Sequence, residues 1–230
     1  MPLLNPIPPE AVDGELEEFY AAVTDMVGRI PNSVRTTAHA PFLAMLMLPF
    51  QVATQREWPG THITGKLKEL VVIKTSHVNE CEYCFAHNTA LGEAAGITHD
   101  QVIALSSDDY KTSDLFDDRE KLAIEWGEQM TRRTAGRNEE LYGRMQSMFS
   151  NAEIVELTLV CGLFNMINRI NDSLGLEIEA SAEVNRIKGT LNMDPARMGD
   201  YLRWLADHWP AEFDTLNDKV IKAASAEAAE

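Results

Sequence analysis

Apolar residues recur at three- and four-residue intervals along nearly the whole chain, the period of an amphipathic α-helix. Pro6, Pro8 and Pro9 predict an extended lead-in, after which Leu16, Phe19, Tyr20 and Val23 trace one helical face. Ile30-Pro31-Asn32-Ser33 interrupts that face, and Ser33 is the expected cap of a short helix reaching about His39. Pro41 suits a first helical turn, with Leu43, Leu46, Met47 and Phe50 as the expected inward face. Trp58-Pro59-Gly60 reads as a turn, and Thr64 as the cap of a helix holding Glu69 to Ile73. The next helix is expected to start near Asn79 or Glu80 and to stop at Gly96. Thr98-His99-Asp100-Gln101 and Ser150-Asn151-Ala152-Glu153 have the form of capping boxes. The first opens a short helix through Leu105, the second a long apolar helix ending near Gly175. Between them, Ser106 to Phe116 reads as a polar loop that can cover a pocket. Arg119 to Arg132 reads as a helix with Leu122, Trp126 and Met130 on one face, and Leu141, Met145 and Met148 mark another. Asp194-Pro195 begins a late helix that Pro210 ends, and the Ala223 to Glu230 tail is expected to fray.

Leu70-Val71-Val72-Ile73 has the composition of a buried strand. The run from Lys66 to His77 holds no turn residue and is long for a strand, so it is read as a buried helix. The pattern predicts an all-α fold, one domain over residues 1–230, with a core from Pro41 to Gly175 between an N-terminal helical arm and a C-terminal helical extension. Glu69 and Glu156, each near the start of a long apolar helix, give only a weak pseudo-repeat.

The net charge of −16, with no basic stripe, argues against nucleic acid and suits a small neutral or apolar ligand. The N-terminus lacks the basic and apolar regions of a signal peptide. The best apolar stretch, Ile154 to Ile167, is too short to cross a membrane and carries Glu156. Three cysteines make no disulfide framework, which points to a cytoplasmic protein.

The chemistry concentrates in Cys81-Glu82-Tyr83-Cys84-Phe85-Ala86-His87-Asn88. Thiols at i and i+3 in a first helical turn are neighbours, and the helix N-terminus favours thiolate. His87, three residues past Cys84, falls over the same face and is a candidate proton acceptor, and Glu69 arrives from the preceding apolar helix. Such a dithiol reduces a hydroperoxide: one thiolate becomes a sulfenic acid and the second thiol closes a disulfide. Zinc is the competing reading, but it needs four ligands and only His87 lies near, so no metal is expected. Cys161, in an apolar helix, reads as inert, and Met45, Met47, Met145 and Met148 as core filler. Arg35 and His39, at i and i+4, either line a cleft or serve structure. Asn165, Asn168 and Arg169 either orient a carboxylate or cap and pack.

Glu69, Cys81, Tyr83 and Cys84 with the small-residue helix that follows resemble the signature of the alkyl hydroperoxidase D (AhpD)-like, carboxymuconolactone decarboxylase superfamily. Pro31-Asn32-Ser33-Val34-Arg35, Ala38-His39, Lys68 to Val72, Glu153 to Leu157 and Phe164 to Arg169 extend the resemblance to longer members, over residues 31–177. Residues 178–230 form the extension outside it. The resemblance implies an AhpD-like helical fold that assembles into homo-oligomers, as dimers, trimers or hexamers. It implies a redox relay of Glu69, Cys81, Cys84 and His87 with a redox-active Cys81–Cys84 disulfide and no cofactor. The family's relay histidine falls four residues after the second cysteine, where this chain has Asn88. His87 is one residue early, about 100° around the helix. Tyr83, Asn88, His39, Arg35 and Arg169 are the candidate substrate contacts. The expected function is a thiol-dependent hydroperoxide reductase with a thiol reductant as partner, either sulfur being a possible nucleophile. The alternatives are a cofactor-free decarboxylase or lyase acting on an aromatic-derived or lactone organic acid, and a non-catalytic redox sensor.

Overall fold

The helical period governs the observed architecture. The protein is described over residues 2–208 by a computed structural model. Its helices are α1 (Gly14–Val27), α2 (Asn32–Thr37), α3 (Pro41–Gln55), α4 (Gly65–Val78), α5 (Glu82–Ala94), α6 (His99–Leu105), α7 (Asp118–Thr131), α8 (Glu139–Met148), α9 (Asn151–Ser173), α10 (Ser181–Asn185) and α11 (Pro195–His208). No β-strand occurs among the described residues; one isolated parallel bridge joins Glu57 to Asn192.

The apolar Leu70–Ile73 run is the middle of α4, and all four side chains are fully buried. A helix buried on every side must be surrounded, and α5, α7 and α9 pack against this one. Each such buried aliphatic side chain contributes roughly 1.5–3 kcal/mol. Thr64 starts α4 by accepting from Leu67 N at 3.3 Å. Two glycines let the neighbours approach. A Cβ at Gly92 of α5 would stand 2.9 Å from Ile73 Cδ1, and one at Gly127 of α7 would stand 3.0 Å from Val71 Cγ1. Both capping boxes form as predicted, at Thr98 and at Ser150.

A second apolar cluster joins α1, α3 and α11 through Phe19, Val23, Met45, Leu48, Met198, Tyr201 and Leu205. The chain beyond α9 also packs on α5, where Val184 and Ile187 meet Ala90 and Leu91.

Four local expectations change. Ser33 lies inside α2, whose N-cap is Pro31. On α3 the inward face is Ala44, Met45, Leu48 and Val52, while Leu43, Leu46 and Phe50 are exposed. That helix is apolar on both sides, so its period could not choose a face; α1 and α11 choose it by docking. The cysteine helix begins at Glu82, because Glu80 takes a left-handed φ of 57° and ends the path from α4. The Ser106 to Phe116 segment seats Tyr110 and Phe116 in the core, with the Tyr110 hydroxyl donating to Glu128 Oε2 at 2.6 Å. Pro210 and the Ala223 to Glu230 tail lie outside the described residues.

Candidate active site

The sharp α4–α5 turn sets the dithiol. Cys81 is the N-cap of α5, and its sulfur accepts from Cys84 N at 3.4 Å. The two thiols are free, buried, and 2.7 Å apart. From α9, Asn171 Nδ2 donates to Cys84 Sγ at 3.3 Å. Asn168 donates to Ser76 Oγ at 3.2 Å and accepts from Asn79 at 3.0 Å, bracing the turn. The hydrogen bond shared with Cys84 lowers the Cys81 pKa against the effect of burial, helped by the Cys84 amide and Asn168. The same shared bond, with burial and the Cys81 charge, raises that of Cys84. Both directions favour negative charge on Cys81 and a retained proton on Cys84.

The two sulfurs face different spaces. Cys81 borders an open pocket with His77, Glu80 and Phe85, with room for the centre of a water molecule over about 310 Å³. Burial, with the Lys74 and Arg132 charges, lowers the His77 pKa and so favours the neutral imidazole. Cys84 borders an inner chamber with Arg29, Arg56, Tyr83, His87 and Asn88.

His87 makes no hydrogen bond to either sulfur. Its Nδ1 lies 2.6 Å from Tyr83 O and its Nε2 2.8 Å from Glu179 Oε2, with its ring against Tyr83. The Nδ1 contact is a hydrogen bond, and the Nε2 approach to Glu179 is an ion-pair contact only. The i+3 spacing placed His87 beside Cys84 along the helix, but the carboxylate arriving from residue 179 turned the ring away. Glu179, outside the segment of resemblance, is the hub here: it also accepts from the Tyr83 hydroxyl at 3.0 Å and Asn32 N at 2.5 Å, and pairs with Arg29 at 3.2 Å. Burial pushes its pKa up, but the His87 contact, the Asn32 hydrogen bond and the Arg29 charge together hold it at about 2.

Glu69 is fully buried, and burial raises its pKa to about 7 against the pull of Arg56, Gln55 and Lys68. It reaches the dithiol only through amides. Gln55 Nε2 donates to Glu69 Oε1 at 2.9 Å and to Asn88 Oδ1 at 3.0 Å, and Asn88 Nδ2 donates to Cys84 O at 2.7 Å. An amide chain fixes geometry but does not pass protons as imidazole does.

Three expected substrate contacts lie elsewhere. Arg35 holds the N-terminal lead-in, donating to Ile7 O at 3.0 Å, and His39 Nε2 lies 2.9 Å from Asn5 O. Arg169 is exposed and donates to Asn165 O at 2.6 Å. All three serve the structural readings. Tyr83 and Asn88 do border the inner chamber. Cys161 is buried and bonded to Thr75 and Gly127, as its apolar context implied. Glu156 pairs with the buried Lys68 at 2.8 Å. Arg29, Gln55, Arg56, His77, Asn171 and Glu179 were not singled out from sequence. Arg29 and Arg56 follow helix ends, an ordinary place for a basic residue, so no local pattern marks them.

The segment that supplies the glutamate helix and the cysteine helix matches the model of the carboxymuconolactone decarboxylase family, over residues 47–127. The fold is that of the AhpD-like helical proteins. Bacillus subtilis (strain 168) uncharacterized protein YdfG is 28% identical over 114 residues, 49% of this chain and 76% of YdfG. The debrominase Bmp8 superposes with a TM-score of 0.66 at 20% identity, covering 80% of this chain and 97% of Bmp8. An uncharacterized peroxidase-related protein with an alkylhydroperoxidase AhpD core, from Ralstonia eutropha JMP134, gives 0.66 at 19% identity over 80% and 94% of the two chains. At these identities the structural likenesses speak for the fold.

Proposed function

We propose that the protein is a thiol-dependent hydroperoxide reductase in which Cys81 attacks and Cys84 resolves. The observation that carries this is the 2.7 Å pair of free thiols with Cys81 at a helix N-cap beside an open pocket. The Cys81 thiolate attacks the terminal oxygen of the hydroperoxide, the O–O bond breaks, and the alkoxide takes the proton of Cys84. The Cys84 thiolate then displaces hydroxide from the Cys81 sulfenic acid, and a solvent proton makes it water. The peroxide gains two electrons and the pair becomes a disulfide. A dithiol reductant restores it by exchange at Cys81, the sulfur on the open pocket. His77 stands in that pocket as acceptor for the proton that Cys81 releases. Free thiols suit a reducing compartment such as the cytoplasm. The exposed apolar residues Leu43, Leu46 and Phe50 of α3, and Val155, Leu159 and Met166 of α9, suit a homo-oligomer.

Thiol titration before and after one equivalent of cumene hydroperoxide tests the reading. Two thiols per chain should disappear, and Cys84→Ser should lose turnover while its Cys81 sulfenic acid is trapped by dimedone. No thiol loss would refute it. Thiol-insensitive release of carbon dioxide from an organic acid would favour the lyase alternative instead. A reversible disulfide without turnover would mark a redox sensor.

A further inference from the structure

The inner chamber carries an arrangement that the redox chemistry does not use. Arg29 and Arg56 are both almost fully buried and both border it. The Nε and Nη1 groups of each find no acceptor in line among the described residues; the Arg29 Nη1 approach to Glu179 is an ion-pair contact only. Burial lowers the Arg56 pKa to about 10, with Glu69 opposing and Arg29 adding to the effect, so the two guanidiniums sense one another. Buried cations with unused N–H groups are costly unless an anion lies between them. Glu179 and Glu69 lie near these charges, but neither borders the chamber itself. Glu179 Oε1 is shared among Arg29, Tyr83 and Asn32 and Glu69 Oε1 is turned to Gln55, while Glu179 Oε2 has only the ion-pair contact with His87 and Glu69 Oε2 has no hydrogen-bond donor among the described residues. A chain of net charge −16 thus encloses a locally positive space.

That space is small, admitting the centre of a water molecule over about 50 Å³. It adjoins an apolar vestibule of about 30 Å³ formed by Ala44, Met47, Leu48, Ile167 and Ile170, and the two share Ser33, Gln51, Ile167 and Asn171 in their walls. We infer that the chamber binds the carboxylate of a small organic acid between Arg29 and Arg56, with its aliphatic end in the vestibule. A planar carboxylate matches the donor fork of guanidinium, and the vestibule offers no charge to a second acidic group. This assignment needs no sulfur chemistry.

Calorimetric titration of the full chain, in buffer free of carboxylate and phosphate, tests it with hexanoate, hexanamide and inorganic phosphate. Hexanoate should bind once per chain. Hexanamide, the same skeleton without the charge, should bind at least ~10-fold more weakly. Arg56→Gln should weaken hexanoate by a similar factor, and Arg56→Lys by less. Equal binding of acid and amide, or no binding of either, overturns the inference on the unaltered protein, whatever the variants' folding. Phosphate binding more tightly than hexanoate overturns the carboxylate assignment. Because no turnover is measured, failure here leaves the peroxidase reading standing, and the reverse holds too.

Discussion

Glu69 ties stability to pH in a direction opposite to that of most carboxylates. Its pKa is about 7 in the folded protein against an ordinary value of 4.5, because burial outweighs Arg56, Gln55 and Lys68. Between those two values the unfolded chain has released the proton and the folded chain still holds it. The folded state binds more protons, so stability falls as pH rises through this window. One pKa unit corresponds to about 1.4 kcal/mol, so the full effect is about 3 kcal/mol, of which roughly 2–3 kcal/mol is lost between pH 5 and pH 8. Glu69→Gln keeps an acceptor for Gln55 and cannot ionise. Near pH 5 the variant should match the unaltered protein to within about 1 kcal/mol. At pH 8 it should be the more stable by about 1–3 kcal/mol, the lower end applying because Arg56 loses the opposing charge of Glu69. Urea unfolding of both proteins at pH 5, 6, 7 and 8 measures this, and the difference between them cancels titrations they share. A difference that stays flat with pH, or that grows against the variant as pH rises, would refute the burial argument.

Three other outcomes follow from the packing. Glu179→Gln leaves Arg29 and His87 without their carboxylate and should cost roughly 3–5 kcal/mol in denaturant unfolding at pH 7. Because the Glu179 pKa is depressed to about 2, its stabilisation is present above pH 4.5 and lost as pH falls towards 2; the variant's acid limb should be flatter there. Cys161→Ala, remote from the pair, should leave hydroperoxide turnover and the loss of two thiols unchanged, at a stability cost of about 1 kcal/mol. Phe50→Glu combined with Leu159→Glu charges two exposed apolar faces and should lower the mass measured by light scattering without altering far-ultraviolet circular dichroism.

The helical order was legible because period, caps and breakers agree over most of the chain. Thr64, Thr98 and Ser150 each start a helix where a hydroxyl precedes an apolar run. The errors fall where two solutions have the same local pattern. On α3, Leu43 and Leu46 are as apolar as Ala44 and Met45, and only docking of α1 and α11 separates the faces. The cysteine spacing gave the pair, but not the left-handed Glu80 that makes Cys81 a cap. His87 illustrates the harder limit: its nearest carboxylate is 92 positions away in sequence, and nothing local announces Glu179 or the two arginines around it. Long-range electrostatic partners are chosen by topology, and a single sequence carries no sign of them.

The asparagine at position 88 also becomes intelligible through its partners. Asn88 accepts from Gln55, donates to Cys84 O and approaches Ser76 Oγ at 3.5 Å, so both ends of its amide are engaged. With His87 bound to Glu179, the inner side of the dithiol is fixed by groups that hold geometry and do not exchange protons with sulfur. On the proposed reading, ionisation is then arranged on the open side, by the pair together with His77. The Cys81 N-cap position draws the charge outward, the Cys84 proton stabilises it, and Asn171 steadies the inner sulfur. On the proposed reading, an attacking thiolate on the open side and a proton-bearing thiol on the closed side would be the two components that reduction of an O–O bond requires. A relay imidazole at residue 88 would add a proton route on the inner side, where this protein instead keeps two buried arginines beside a small chamber.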